Sequence, residues 1–501
     1  MEFDYIVVGA GSAGCVIANR LSEERDISVL LLEAGTEDTR PEIHDPSMWW
    51  SLLGSEVDWG YQTEAEPGYG GRKLNCNRGK VLGGSSSINA MIYIRGNRWD
   101  YDHWSELGCS GWSFEEVLPY FIKSEHQGRG ESALHGVGGL LNVRDVVTAH
   151  PLYSTMIEAA VEIGYPRNPD FNGERQEGVG MYQFTIRDGK RQSTATAFLR
   201  PAMERTNLTV STSALTNRIW FDGTRAIGVS FLQDGKERKA MARREVILCG
   251  GAINSPQLLL LSGLGPAEEL TAFGIPLIKD LPGVGKNLHD HPTISVQYNA
   301  FYPHIVPFDY AISGLFLYSG IDPDEPAPDI QFHFSPNFDE DNRVIAYTVN
   351  VTQLRPQSRG QIRLRSINPA DPPAIVINYL NDPGDMKRLV VGVKVARRMC
   401  QAEALAVFRG EEIKPGVSVQ SDSEIKAFIC NEGWGIWHPV GTCRMGQDRF
   451  AVVDSELKVH GIDGLRVADA SVMPLVTSGN TNAPTIMIGE KAAEMVRKSW
   501  R

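Results

Sequence analysis

No run of about 18 apolar residues, the length that crosses a bilayer as a helix, occurs in this 501-residue chain; the apolar stretch 258–261 stops at Ser262-Gly263. Basic residues are in deficit, 49 Lys and Arg against 61 Asp and Glu. The formal charge of -12 repels phosphate backbones and argues against nucleic acid as a main partner. The seven cysteines (Cys15, Cys76, Cys109, Cys249, Cys400, Cys430 and Cys443) include no C-x-x-C pair, and such an odd, scattered set is neither a disulfide framework nor a zinc site. Met1-Glu2-Phe3-Asp4 lacks the basic and apolar segments of a signal peptide, so the sequence predicts a cytoplasmic protein with no membrane span. Internal repeats and low-complexity tracts are missing as well. What remains is an ordinary globular composition: 42% hydrophobic, 22% charged and 9% aromatic, with 50 glycines and 28 prolines. At ~150 residues per domain the length allows two or three domains.

The first organised pattern lies at the N-terminus. Tyr5-Ile6-Val7-Val8 is an apolar run suited to a strand buried on both faces of a parallel sheet. It leads into Gly9-Ala10-Gly11-Ser12-Ala13-Gly14 and then a helical pattern with Val16, Ile17 and Leu21 on one face. A second apolar run, Ser28-Val29-Leu30-Leu31-Leu32, ends at Glu33. Strand, G-x-G-x-x-G, helix, strand and acid together form a dinucleotide-binding unit. The first glycine makes the tight turn, the second admits a pyrophosphate to the backbone, and the third packs helix on sheet. The helix N-terminus offers free N–H groups and the positive end of its dipole. Glu33 sits where a carboxylate takes both ribose hydroxyls and would repel the 2'-phosphate of NADP. A unit of this kind at the head of a chain favours FAD over NAD.

Five more blocks follow. Arg78-Gly79-Lys80-Val81-Leu82-Gly83-Gly84-Ser85-Ser86-Ser87-Ile88-Asn89-Ala90-Met91 packs small residues around a Gly-Gly pair. Gly251-Ala252-Ile253-Asn254-Ser255-Pro256-Gln257-Leu258-Leu259 continues to Gly263-Leu264-Gly265 and reads as a helix entered at Ser255-Pro256 and closed by Gly263. Leu465-Arg466-Val467-Ala468-Asp469-Ala470-Ser471 is a strand running into a polar turn, and Gly479-Asn480-Thr481-Asn482-Ala483-Pro484-Thr485 opens the last helix. Trp437-His438-Pro439-Val440-Gly441-Thr442-Cys443-Arg444 precedes both. Together these blocks resemble the glucose–methanol–choline (GMC) oxidoreductases. The resemblance runs from Asp4 to about Val496, and the segments 79–102 and 251–265 match that family's two long motifs.

The resemblance implies an α/β fold in which a Rossmann-like FAD-binding domain is joined to an α+β substrate domain built on an antiparallel sheet. The expected division is 1–150, 202–291 and 447–501 for the FAD domain, and 151–201 and 292–446 for the substrate domain. It implies that Gly9, Gly11, Ser12, Ala13 and Gly14 hold the FAD pyrophosphate, and that Glu33 and Ala34 hold the adenosine ribose, with Leu215 meeting the adenine. Trp59, Arg78, Val81, Gly84, Asn89, Ala90, Met91 and Trp437 would surround the flavin. Asp469 and Ala470 would lie near the ribityl and phosphates, and Asn482, Ala483 and Thr485 at the pyrimidine edge. Some members attach FAD covalently through a histidine at the position of Ile88, so here the expectation is non-covalent FAD.

The same resemblance assigns catalysis to His438, paired with Asn482. Oxidising an alcohol moves a hydride to the flavin and a proton to a base. Imidazole, with an unperturbed pKa of ~6.5, takes that proton near neutral pH, and an asparagine donates to the developing alkoxide without competing as a base. The expected reaction is FAD-dependent oxidation of a primary alcohol, of the aryl, furanic or pyridine methanol type, with O2 or another electron acceptor completing the cycle. Choline-dehydrogenase-like oxidation, or hydroxynitrile cleavage on the same fold, are the alternatives. His289-Asp290-His291 has strand spacing that could turn two imidazoles toward a metal, yet no third ligand is apparent and the reading is structural, with no metal. Cys443 reads as packing. Residues 302–308, rich in turn formers, form a candidate lid.

Overall fold

The computed structural model describes residues 1–302, 309–341 and 343–500; the candidate lid at 303–308 lies outside them. Two seven-stranded sheets organise the described chain. In the first, the order is Leu208–Ser211, Val29–Leu32, Glu2–Val8, Lys236–Leu248, Arg225–Gln233 and Leu215–Asp222, with Leu465–Val467 beside the end of Lys236–Leu248. The strands around the glycine turn run parallel, and the last two fold back antiparallel. Residues 5–8 and 29–32 are buried without interruption, as a strand covered on both faces requires. The Ser12–Leu21 and Asn482–Ser499 helices pack on each other and share one hydrophobic core with this sheet.

The second sheet is antiparallel throughout, in the order Arg409–Lys414, Pro292–Tyr302, Val344–Gln353, Ile330–Phe338, Ser313–Leu317 and Gly178–Met181, with Trp434–Gly435 also beside Pro292–Tyr302. Its strands alternate. Phe332, Phe334, Val349 and Val351 enter a second core with the helices Pro151–Glu162 and Pro383–Cys400, which leaves His333, Ser335 and Asn350 on the other face, toward a cavity. Gln361–Arg363 pairs with Ala374–Val376 in a separate two-stranded sheet.

Strands of the first sheet fall at 2–8, 29–32, 208–248 and 465–467, and those of the second at 178–181, 292–353 and 409–414, so the two units interleave along the chain. The boundary expected at residue 446 lies earlier. Val440, Cys443 and Met445 belong to the first core, and the Cys443 and Met445 N–H groups donate to the carbonyls of Ser471 and Val472, each at 2.8 Å. His438 consequently sits on the seam between the units.

A buried charge cluster braces the first unit beside the 91–95 segment. Arg95 meets Glu125 at 2.6 Å, and His135 lies between Glu125 (3.1 Å) and Asp170 (2.9 Å). Burial opposes a charged imidazole, but the hydrogen bonds to Asp170 and Glu125 outweigh it and lift the His135 pKa to about 9. A pKa raised in the folded state stabilises fully below the unfolded value of ~6.5, and the contribution disappears as pH rises through about 9. The melting temperature of His135→Gln should therefore fall further below that of the native protein at pH 6 than at pH 10; an equal deficit at both values would contradict the assignment.

Candidate functional site

One continuous cavity of about 1160 Å³ runs along the seam, from Glu33, Ala34 and Leu215 at one end to His438 and Asn480 at the other. That volume exceeds the ~300–1,000 Å³ of ordinary small-molecule pockets, room for a dinucleotide and a second small molecule. Its shape is set by close backbone approaches. A Cβ on Gly14 would lie 1.9 Å from the Gly9 carbonyl oxygen, so only glycine lets the helix start so near the strand end. Gly84 has a φ of 51° and would bring a Cβ 2.7 Å from Gly11 Cα, so two glycine loops meet there without side chains. The Ser12–Leu21 helix begins between them with no side-chain cap, leaving its first N–H groups for an anionic ligand.

Glu33 is buried at the end of Val29–Leu32 and accepts hydrogen bonds from Ala10 N–H (2.9 Å) and Gly35 N–H (2.8 Å). Burial raises its pKa to about 7, with the two backbone donors pulling the other way. Asp469 lines the cavity, and its carboxylate accepts from Gly251 N–H (2.8 Å), Ser255 hydroxyl (2.6 Å) and Ser471 N–H (2.8 Å). It organises the entrances of two helical segments. Asn89 accepts from Met91 N–H (3.0 Å) and from the buried Arg191 guanidinium (2.9 Å), which pins the 89–91 segment against the cavity.

At the opposite end the chain turns His438 inward through Trp437, whose φ of 64° lies in the left-handed region that favours glycine. Arg78 holds that turn by donating to the Trp437 carbonyl at 2.8 Å, and the Trp437 indole donates to Asn75 at 3.0 Å. The buried carboxylate of Asp290 accepts the N–H of His438 (2.6 Å), the N–H of His291 (2.8 Å) and the hydroxyl of Tyr379. Both imidazoles are thereby fixed from their backbones.

Their tautomers follow from the partners. The Leu354 carbonyl, 3.1 Å from His291 Nε2, can only accept, so that nitrogen carries a proton. Burial pushes the His291 pKa down to about 3, so the ring is neutral and its Nδ1 is a lone pair. His438 Nδ1 lies 3.0 Å from it and must be the donor. The lone pair of His438 is then on Nε2, where Asn480 Nδ2 donates at 3.2 Å. Burial, reinforced by His291, His333 and Arg78, holds the His438 pKa well below the ordinary imidazole value. The result is a neutral base with its acceptor nitrogen aimed into the cavity.

Most of the residues expected from the sequence line this one cavity: Gly9, Gly11, Ser12, Ala13, Glu33, Ala34, Trp59, Arg78, Gly84, Asn89, Ala90, Met91, Leu215, Trp437, His438, Asp469, Ala470, Asn482 and Thr485. Three others stand behind the wall: Gly14 faces the Gly9 turn, the packing its place in the motif requires, Val81 packs with Ile43, Leu52, Val57 and Ile88, and Ala483 is part of the first core. The hydrogen bond of His438 does not go to Asn482. Asn482 is the first residue of the last helix, and its side-chain carbonyl accepts from Ser12 at 2.7 Å. Asn480, two residues earlier in the loop, is the one that reaches His438. The loop is held by Asp100, which accepts from both the N–H and the hydroxyl of Ser478 at 2.7 Å.

His291 and Asp290 were legible only as a possible metal motif. Both nitrogens of His289 are in fact occupied, Nδ1 donating to the Asn287 carbonyl (2.6 Å) and Nε2 accepting from Val476 N–H (2.9 Å). Cys443 is buried in the first core, as its packing role requires.

Comparison with known proteins places this geometry in a family. Residues 3–293 and 356–489 match the N-terminal and C-terminal models described as GMC oxidoreductase. The mitochondrial choline dehydrogenase of Homo sapiens is 44% identical over 533 residues, covering 99% of this chain and 90% of the relative. The oxygen-dependent choline dehydrogenase of Pseudomonas fluorescens (strain SBW25) is 42% identical, covering 99% and 94%. Among solved structures, pyridoxine 4-oxidase from Mesorbium loti matches with a TM-score of 0.92 at 34% identity, over 98% of both chains. An FAD-dependent oxidoreductase from Chaetomium thermophilum matches with a TM-score of 0.91 at 27% identity, over 99% of both.

Proposed function

The chain belongs to the GMC oxidoreductase family, and from that premise we propose that it oxidises primary alcohols of the aryl, furanic or pyridine methanol type to aldehydes, with His438 as base. It is an FAD-dependent enzyme acting on CH–OH groups. The cavity suits FAD on its own chemistry: an uncapped helix start between two side-chain-free glycine loops for the pyrophosphate, and a buried carboxylate, Glu33, for the ribose. Asn89, Ala90, Met91, Asn482 and Thr485 would hold the ring system. Ile88 is an apolar, buried residue and offers no nitrogen for a covalent link.

The observation that carries the catalytic reading is the Nε2 lone pair of neutral His438, which accepts from the Asn480 amide. An alcohol that replaces this bond gives its proton to Nε2 and accepts from the Asn480 amide. As positive charge forms on His438, its Nδ1–H strengthens the bond to the His291 lone pair, and the nearby Asp290 carboxylate supports both rings. FAD supplies the acceptor for the hydride that leaves the carbinol carbon.

The substrate class is supported by the walls around this pair. Tyr310, Ile312, Phe338, Trp434 and Trp437 are aromatic or apolar. Among the described lining residues only Glu33 and Asp469 are acidic, and each is engaged by backbone amides. A flat, uncharged arylmethanol fits such walls. Choline oxidation is the second reading, favoured by the 44% identity to choline dehydrogenase; it would rely on the faces of Trp434 and Trp437 for the ammonium. Anaerobic mixing with each alcohol decides between them: aryl, furanic or pyridine methanols should bleach the flavin and choline should not, and the reverse order would sink the proposal. Reoxidation of the bleached enzyme in air then shows whether O2 is the acceptor.

Acid precipitation should leave the yellow colour in the supernatant, whereas colour pelleting with the protein would mean a covalent link. His438→Ala should retain FAD and slow flavin reduction at least ~10²-fold, the scale of general-base loss. Asn480→Ala should cost ~10²- to 10³-fold, as for a lost oxyanion donor. Asn482→Ala should cost less than about tenfold, since its loss removes one ordinary hydrogen bond. A larger loss at Asn482 than at Asn480 would reverse the pairing drawn here.

A further inference from the structure

His333 lines the same cavity at 4% exposure, and both of its ring nitrogens are buried without a hydrogen-bond partner. Buried polar atoms are nearly always paired, and an orphaned one costs the full desolvation of the group. The neighbours do not relieve it. Asn350, its partner across the strand pair, gives its side-chain carbonyl to the Ser295 hydroxyl at 2.7 Å. On the other side the pairing residue is Gly314, which has no side chain. The Tyr182 ring lies against the imidazole, 5.5 Å between centroids, but its hydroxyl donates to the Phe332 carbonyl at 2.8 Å and accepts from Gln331 at 2.9 Å. Asn480 is the one side chain close enough to favour a charged ring, and that contact falls short of hydrogen-bond geometry. Burial brings its pKa down to about 4, so it presents one N–H and one lone pair.

A carbinol seated on His438 and Asn480 uses its hydrogen on the first and one lone pair on the second. His333 lines the same cavity, close enough to His438 to oppose its charge and in range of Asn480. We propose that His333 hydrogen-bonds a second heteroatom of the substrate, on the ring carbon next to the one that bears the carbinol. The preferred substrates are then arylmethanols with an ortho hydroxyl or an equivalent ring heteroatom. The inference rests on the arylmethanol reading above and narrows it. It assigns His333 to specificity, with no step in hydride or proton transfer.

The test uses the holoenzyme and anaerobic stopped-flow flavin reduction with benzyl alcohol, 2-hydroxybenzyl alcohol and 4-hydroxybenzyl alcohol. The native enzyme should favour the 2-hydroxy compound over benzyl alcohol at least about tenfold in reduction rate over Kd, the scale of leaving a buried polar group unpaired, and should give the 4-hydroxy isomer no such advantage. In His333→Leu the 2-hydroxy preference should collapse to a ratio near one, and His333→Gln, which keeps a donor and an acceptor, should restore part of it. If His333→Leu loses its flavin, the native preferences and the His333→Gln variant still decide. Equal use of the 2-hydroxy and unsubstituted alcohols by the native enzyme overturns the proposal. So does a ratio that survives in His333→Leu, which would mean that the ring serves the carbinol itself or only packing. Reduction by none of the three alcohols, alongside reduction by an alcohol of another class, overturns the arylmethanol reading, and the inference with it.

Discussion

Two buried imidazoles meet nitrogen to nitrogen, His291 Nδ1 to His438 Nδ1 at 3.0 Å, and only one proton fits between them. The Leu354 carbonyl decides which ring supplies it. That carbonyl lies just past the end of a strand of the antiparallel sheet, whereas Val440 and Cys443, a few residues beyond His438, are packed in the core of the parallel one. The orientation of the base is thus a property of how the two units are joined. Asp290 makes the join rigid, since one carboxylate oxygen accepts the backbone N–H of both histidines.

The arrangement also carries an electrostatic cost that favours the chemistry. A neutral imidazole is tolerated in the dry seam, and an imidazolium is not, because burial and the neighbouring His291, His333 and Arg78 all oppose it. The base is therefore unprotonated when an alcohol arrives, and holds a proton only while negative charge leaves the substrate. Burial pushes the Asp290 pKa up to about 6, so above that value its carboxylate is available to support the charged ring. The cofactor end follows a different logic, with close backbone approach and helix starts, and with the carboxylates of Glu33 and Asp469 held by backbone amides.

The parts of this that could be read along the chain are those in which function and local structure share one segment. The strand–turn–helix at 5–21 and the Glu33 carboxylate obey spacing rules that hold within about 30 residues, and His438 lies in a motif with its own turn. Asn480 and Asn482 could not be separated in that way. They differ by two residues at a helix start, and whether a side chain falls on the Ser12 side or the His438 side is decided by where the helix begins. His291 stood in view as part of a His-Asp-His run, but its partner is 147 residues away. His333 had a signal, the alternation with Phe332 and Phe334 that puts it on the face away from their core. No pattern in the chain says that its nitrogens would be left unpaired. Val81, Gly14 and Ala483 show the converse, in that motif residues can shape a site from behind its wall.

The central claim is the protonation pattern of the two histidines, and nitrogen-15 NMR of histidine-labelled holoenzyme near pH 8 reads it most directly. His438 should appear as the neutral tautomer protonated on Nδ1 with an unprotonated Nε2, and His291 as the opposite tautomer. A His438 that carries its proton on Nε2, or is doubly protonated in the resting enzyme, would contradict the account.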